Sequence, residues 1–284
     1  MKAGVYPYFR EITSMQGTEV TDIDGHKILM FGSNAYTGLP SDPRIIAASH
    51  AALDKYGTGC AGSRFLNGTL DLHIKLEKEI AKYIGKEDVL GYSTGFSVNE
   101  GVLSVVVGRG DYIICDDRDH ASIVDGRRLS FATQLHYKHN DMEDLERVLA
   151  KLPHEAIKLI VVDGVFSMEG DLAKLPQIVE LKHKYNCSVM VDEAHGIGVF
   201  GREGRGVCDH FGLTDEVDLI MGTFSKSLAS IGGFIASDFD TINWLRHTSR
   251  TYIFSASNSP AATAAALELS LIHISEPTRH LRIS

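Results

Sequence analysis

The chain has 284 residues, 44% of them hydrophobic and 23% charged, enough to bury a substantial core as one large domain or as one domain plus part of another. A net charge of −9 supplies no basic stripe to neutralise phosphates, so no nucleic-acid partner is expected. No apolar run approaches the roughly 20 residues that span a bilayer, the first residues carry no signal-peptide pattern, and Cys60, Cys115, Cys187 and Cys208 lack metal-ligand spacing. These features predict a cytoplasmic protein with reduced thiols, no transmembrane segment and no metal.

In chain order, residues 19–31 read as a small hairpin around Asp24-Gly25, and 43–55 as a helix. A glycine-rich segment, 57–64, leads to Asn67-Gly68-Thr69, and a second helix covers 72–84. From residue 89 onward short apolar runs alternate with helical patterns. Strands are predicted at 89–92, 112–115, 134–138, 159–165, 188–191, 219–222 and 233–236, with helices at 97–107, 142–152 and 175–185 among them. Such alternation predicts an α/β fold: a mainly parallel seven-stranded sheet with helices on both faces. The link from 222 to 233 is too short for a helical crossover, so the last strand should be antiparallel to its neighbour. Ligands of open sheets bind beyond the carboxyl ends of the strands. Gly95, His120, Ser167, Asp192, His195, Thr223 and Lys226 all fall there.

Three short motifs point elsewhere. Residues 57–62 fit GxGxxG, but they follow a helix and do not open one, which is the wrong context for a dinucleotide site. Asp192-Glu193-Ala194-His195 spells a helicase box, yet the chain has no GxxxxGK[ST] to hold phosphates. Gly91-Tyr92-Ser93-Thr94-Gly95 fits GxSxG between a strand and a helix, the context of a nucleophile elbow. A serine hydrolase through Ser93, with Asp163 and His195 as partners, is therefore an alternative of a different class. It would leave Lys226 and Asp192 without a task. The same turn also reads as a phosphate cradle, because Thr94, Gly95 and Phe96 offer backbone N–H groups at a helix N-terminus.

Lys226 lies among small hydroxyl residues after a strand, a setting for a phosphate and for a lysine that forms a Schiff base with an aldehyde. Taken with the other residues, this fits a site for pyridoxal 5′-phosphate. Lys226 would bind the aldehyde. Asp192 would pair with the pyridine nitrogen, and burial of that carboxylate would be offset by the opposite charge. His195 and Ser167 could reach the phenolic oxygen, and His120 could lie over the ring. Thr223 and Ser225 would complete the phosphate shell.

These segments resemble the α-oxoamine synthases, fold-type-I pyridoxal phosphate enzymes that condense an amino acid with an acyl-CoA and release CO2. The resemblance rests on Asn34-Ala35-Tyr36-Thr37-Gly38-Leu39, residues 59–68, Ser93-Thr94-Gly95-Phe96, Asp119-His120-Ala121-Ser122, Phe166-Ser167-Met168-Glu169-Gly170-Asp171, Asp192-Glu193-Ala194-His195-Gly196 and Gly222-Thr223-Phe224-Ser225-Lys226, and runs from about residue 7 to 268. It is greatest to bacterial members that join serine to palmitoyl-CoA and yield 3-oxosphinganine. Relatives on the same scaffold use glycine or alanine, giving 2-amino-3-oxobutyrate or 8-amino-7-oxononanoate. The resemblance implies Lys226, His120, Asp192 and His195 as catalytic residues, with Lys226 removing the α-proton. It also implies a homodimer with a shared site, in which Ser255 or Ser257 reaches the partner's phosphate.

The resemblance further implies an N-terminal segment (1–50), a cofactor-binding large domain (51–268) and a small C-terminal domain that this sequence lacks, together with its substrate-carboxylate arginine. Residues 269–284 resemble a translated transposase-type sequencing adaptor and are expected neither to continue a helix nor to begin a domain. The helix over 261–267 is then expected to expose an apolar patch.

Overall fold

The computed structural model describes residues 9–275. Two short strands, β1 (Glu19–Thr21) and β2 (Lys27–Leu29), pair antiparallel as the predicted hairpin. Helix α1 (Pro43–Tyr56) starts with Pro43 in its first turn and with Asp42 accepting a hydrogen bond from the Arg44 N–H; Gly57 ends it at φ 76°. Helix α2 (Asp71–Ile84) ends on left-handed Gly85.

The sheet begins with β3 (Asp88–Tyr92), followed by α3 (Gly95–Leu103), β4 (Tyr112–Asp116), α4 (Ala121–Leu129), β5 (Thr133–Tyr137), α5 (Met142–Leu149) and β6 (Lys158–Asp163). The predicted strand at 159–165 is in fact two elements. The chain leaves the sheet after Asp163, and β7 (Val165–Phe166) pairs with β8 (Asp171–Leu172) as a separate hairpin. Then come α6 (Leu175–Tyr185), β9 (Ser188–Asp192), a one-turn helix α7 (Val207–His210), β10 (Leu219–Thr223) and β11 (Gly233–Ser237). Helices α8 (Phe239–Thr248), α9 (Arg250–Ile253) and α10 (Pro260–Ser275) follow.

All seven predicted strands form one sheet, ordered β3-β11-β10-β9-β6-β4-β5. The five from β10 to β5 run parallel, and β11 is antiparallel to both β10 and β3. Both faces are covered, as a parallel sheet requires. Alternate residues serve opposite layers: Ile160, Val162, Val189 and Val191 pack in one core, whereas Leu159, Val161 and Met190 pack in the other. The four cysteines are free thiols.

Two expectations for the end of the chain are corrected. Helix α10 continues past Glu268 to Ser275. Its apolar side is not exposed, because Ala266, Leu267, Leu269 and Ile272 are buried within the core that also holds residues of α1 and α2. Leu269 has no exposed surface. Leu269→Ala is therefore expected to cost about 2–5 kcal/mol, the usual range for a buried leucine, read as a lower urea midpoint. An unchanged midpoint would mean that this turn does not pack on the core.

Candidate active site

The carboxyl ends of β3, β4, β6, β9 and β10 converge on a cavity of about 310 Å³. Its wall includes Thr94, Gly95, Phe96, His120, Asp192, His195, Thr223, Ser225 and Lys226, nine of the predicted site residues. Ser167 is not among them; it is exposed on the β7–β8 hairpin. Ser255 and Ser257 line a second, narrow cleft beside the buried pair Arg64–Glu77, and the Ser257 N–H donates to the Gly62 carbonyl at 3.1 Å. Ser93 faces that second cleft too, away from His195 and Asp163, so the hydrolase arrangement is not assembled.

At the start of α3, Thr94 is the N-cap. Its hydroxyl accepts from the Ser97 N–H at 3.0 Å, and Ser97 Oγ accepts in return from the Thr94 N–H at 3.2 Å. The first N–H groups of a helix have no intrahelical acceptor, so this turn presents donors and a positive dipole end to the cavity. Only glycine fits at 95: a Cβ there would lie 2.7 Å from Thr223 Oγ1. Thr223 Oγ1 is also 2.8 Å from Ser225 Oγ, so a rank of hydroxyls faces the helix start.

Asp192 ends β9 with its side chain buried. Its Oδ2 accepts from Asn99 Nδ2 at 2.7 Å, and Oδ1 accepts from the Ala194 N–H at 2.9 Å. Asp163, from the neighbouring strand, accepts from the His120 N–H at 2.7 Å. Burial, reinforced by the nearby Asp192 charge, holds the Asp163 carboxyl well above the ordinary carboxylate range. The Phe96 and His120 rings meet edge to face, with centroids 6.4 Å apart.

Lys226 Nζ lies 2.8 Å from His195 Nε2, and His195 Nδ1 lies 2.6 Å from Tyr36 Oη. An ammonium can only donate, so Nε2 accepts and Nδ1 carries the proton toward Tyr36. Tyr36 Oη donates in turn to Asn34 Oδ1 at 3.3 Å. Burial lowers the pKa of Lys226, against the opposing pull of Asp192 and Asp163. Burial, then the Lys226 charge, pushes His195 down to about 4.

Residues 26–282 match the model of the aminotransferase class I and II family. The chain belongs to that family. Among curated relatives, the serine palmitoyltransferase of Bacteroides ovatus is 71% identical over 98% of this chain and 71% of its own length. The 8-amino-7-oxononanoate synthase of Thermoanaerobacter pseudethanolicus is 44% identical over 94% of this chain and 68% of its own. Among solved structures, the serine palmitoyltransferase of S. paucimobilis with bound PLP–myriocin aldimine superposes with a TM-score of 0.92. It is 38% identical and covers 96% of this chain, which spans 69% of that one.

Three groups hydrogen-bonded to residues of the site are not singled out by the sequence. Tyr36 stood only as part of a family-like segment and Asp163 only as a hydrolase partner. Asn99 had no role, although an asparagine between Val98 and Val102 on the buried side of α3 is a visible signal.

His195 makes stability depend on pH. Its unfolded pKa is about 6.5 and its folded pKa about 4, so between those values the unfolded chain binds a proton that the folded one does not. Stability should therefore fall as pH drops through that window, with His73, also held near 4 by burial, adding the same sign. Urea midpoints at about pH 7 and about pH 4.5 should differ less in His195→Gln than in the parent. An equal difference would place the titration elsewhere.

Proposed function

We propose that the chain is a pyridoxal 5′-phosphate-dependent acyltransferase that condenses L-serine with palmitoyl-CoA. The products are 3-oxosphinganine, CoA and CO2, and the reaction opens sphingolipid synthesis. The observation that carries this reading is the meeting, in one cavity, of a lysine amine of lowered pKa, a buried carboxylate, and a hydroxyl-lined helix start. The choice of serine and a palmitoyl thioester follows the names of the relatives at 71% identity.

The donor set fits the cofactor. Thr94, Gly95, Phe96, Thr223 and Ser225 would hold its phosphate at the helix N-terminus, where the close approach of Gly95 to Thr223 leaves no room for a side chain. Asp192 would hold the pyridine nitrogen, and Lys226 the aldehyde. When bound, the cofactor supplies an aldehyde that condenses with amines and a ring that takes up negative charge from the substrate α-carbon.

Burial disfavours the ammonium form of Lys226, which makes the free amine accessible both for condensation and for removing the α-proton. His195 Nε2, at 2.8 Å, is a neutral acceptor that can hydrogen-bond the resulting ammonium. The chemistry balances without an oxidant. A bond forms between the serine α-carbon and the acyl carbon, the thioester C–S bond breaks with CoA leaving as the thiolate, which takes a proton from solvent, and CO2 leaves. Lys226 then returns a proton to the α-carbon. His120, at the cavity mouth, would lie over the reacting ring and orient the substrate.

A homodimer in the cytoplasm completes this reading. Ser255 and Ser257 line a cleft apart from their own subunit's cavity, which suits a contact with the partner's phosphate. Among the described residues no helix is long and apolar enough to cross a membrane. Residues 51–268 would form the cofactor-binding body, with 1–50 lending Tyr36 to it.

Lys226→Ala should remove both the visible absorbance of a lysine-bound cofactor and turnover. Survival of that band unchanged would move the role to another amine. In an amino-acid screen, serine should shift the cofactor spectrum and support release of CoA from palmitoyl-CoA. A response to glycine or alanine alone would reassign the substrate within the same family.

A further inference from the structure

Asn99 sits on α3 with no exposed surface, between the two groups that would flank the cofactor ring. Its Nδ2 carries two hydrogens, and both have acceptors: Asp192 Oδ2 at 2.7 Å and Ser122 Oγ at 2.8 Å. Its Oδ1 is buried and has no hydrogen-bond partner. A buried carbonyl left in this way is costly, and turning the amide over would be worse, since Oδ1 would then face the Asp192 carboxylate. The amide is therefore held as a double donor.

The consequence passes to His120. Ser122 Oγ already accepts from Asn99, so its own hydrogen is available for His120 Nδ1, 2.7 Å away. The Ser122 N–H also points to Nδ1, at 3.2 Å. With two donors directed at it, Nδ1 is an acceptor and the imidazole proton belongs on Nε2. The His120 N–H is anchored separately by Asp163 at 2.7 Å, which fixes the backbone from which the ring projects.

We propose that Asn99 and Ser122 are positioning residues that hold His120 as its Nε2–H tautomer and tie its orientation to that of the Asp192 carboxylate. The two sides of the ring site are thereby set by one amide: a single displacement of Asn99 would disturb the charge opposite the pyridine nitrogen and the donor over the ring together. The inference deepens the proposed function, since it rests on the roles given there to His120 and Asp192. The tautomer can nevertheless be read without any turnover.

The test is the nitrogen-15 NMR spectrum of His120 in the full chain at about pH 8, above the ordinary histidine range, with and without pyridoxal 5′-phosphate. The parent should show the Nε2–H tautomer alone. Ser122→Ala removes the hydroxyl donor and should lower the Nε2–H to Nδ1–H ratio about tenfold, the factor set by one hydrogen bond of ordinary strength. Asn99→Leu keeps the volume, removes both donors, and should lower the ratio in the same direction. An Nδ1–H tautomer in the parent, or an unchanged ratio in folded Ser122→Ala, would overturn the inference. Should Asn99→Leu fail to fold, the Ser122→Ala ratio alone decides. Loss of the cofactor band in Lys226→Ala reports on the parent reading and is independent of this ratio, so the two can fail separately.

Discussion

A carboxylate at the end of a central strand sets the terms for everything around it. Asp192 is carried into the interior by β9, whose Val189, Met190 and Val191 serve the two apolar cores, and its charge must be met there or the strand cannot sit where it does. Asn99 and the Ala194 N–H meet part of it, and Lys226 lies close enough for its charge to be felt. The remaining capacity faces the cavity. A cationic ring placed there would complete the compensation, so the same constraint that would destabilise an empty fold would favour a bound one.

Backbone contacts fix the geometry around that charge. Gly95 and Gly233 bring α3 against β11: a Cβ on Gly233 would stand 2.8 Å from the Gly95 Cα. The antiparallel β11 returns directly from the Lys226 loop and so brings the end of β10 beside the start of α3. Lysine, hydroxyls and helix start are thus neighbours through strand order, and no long connection has to find its place.

The sheet was legible because its signals are local. Runs such as 159–162 and 189–191 bury both faces, and their apolar continuity is visible without any partner. The strand expected over 159–165 ends at Asp163, and the chain turns at Gly164 out of the sheet into β7–β8; the apolar Val165-Phe166 hides that exit. Lys226, Asp192, His195 and His120 were legible because each has a chemical type suited to its place at a strand end. Bonds between distant segments were not. Tyr36 and His195 are 159 residues apart, and neither position betrays the other. Ser167 follows a strand end, as the others do, but its strand belongs to a separate hairpin. Alternation of strands and helices does not mark where a short apolar piece leaves the sheet.

The contact between Tyr36 and His195 bears on how far this architecture is modular. Tyr36 belongs to the segment that precedes α1, outside the alternating sheet and helices, yet it holds the histidine that touches Lys226. Thr37 fastens the same segment by donating to the Ser227 carbonyl at 2.9 Å, one residue beyond the lysine. A boundary drawn by compactness alone would cut between Lys226 and the residues that brace it. Transplanting the doubly wound body into another protein would carry the lysine across and leave behind the tyrosine and threonine that brace its histidine and its loop.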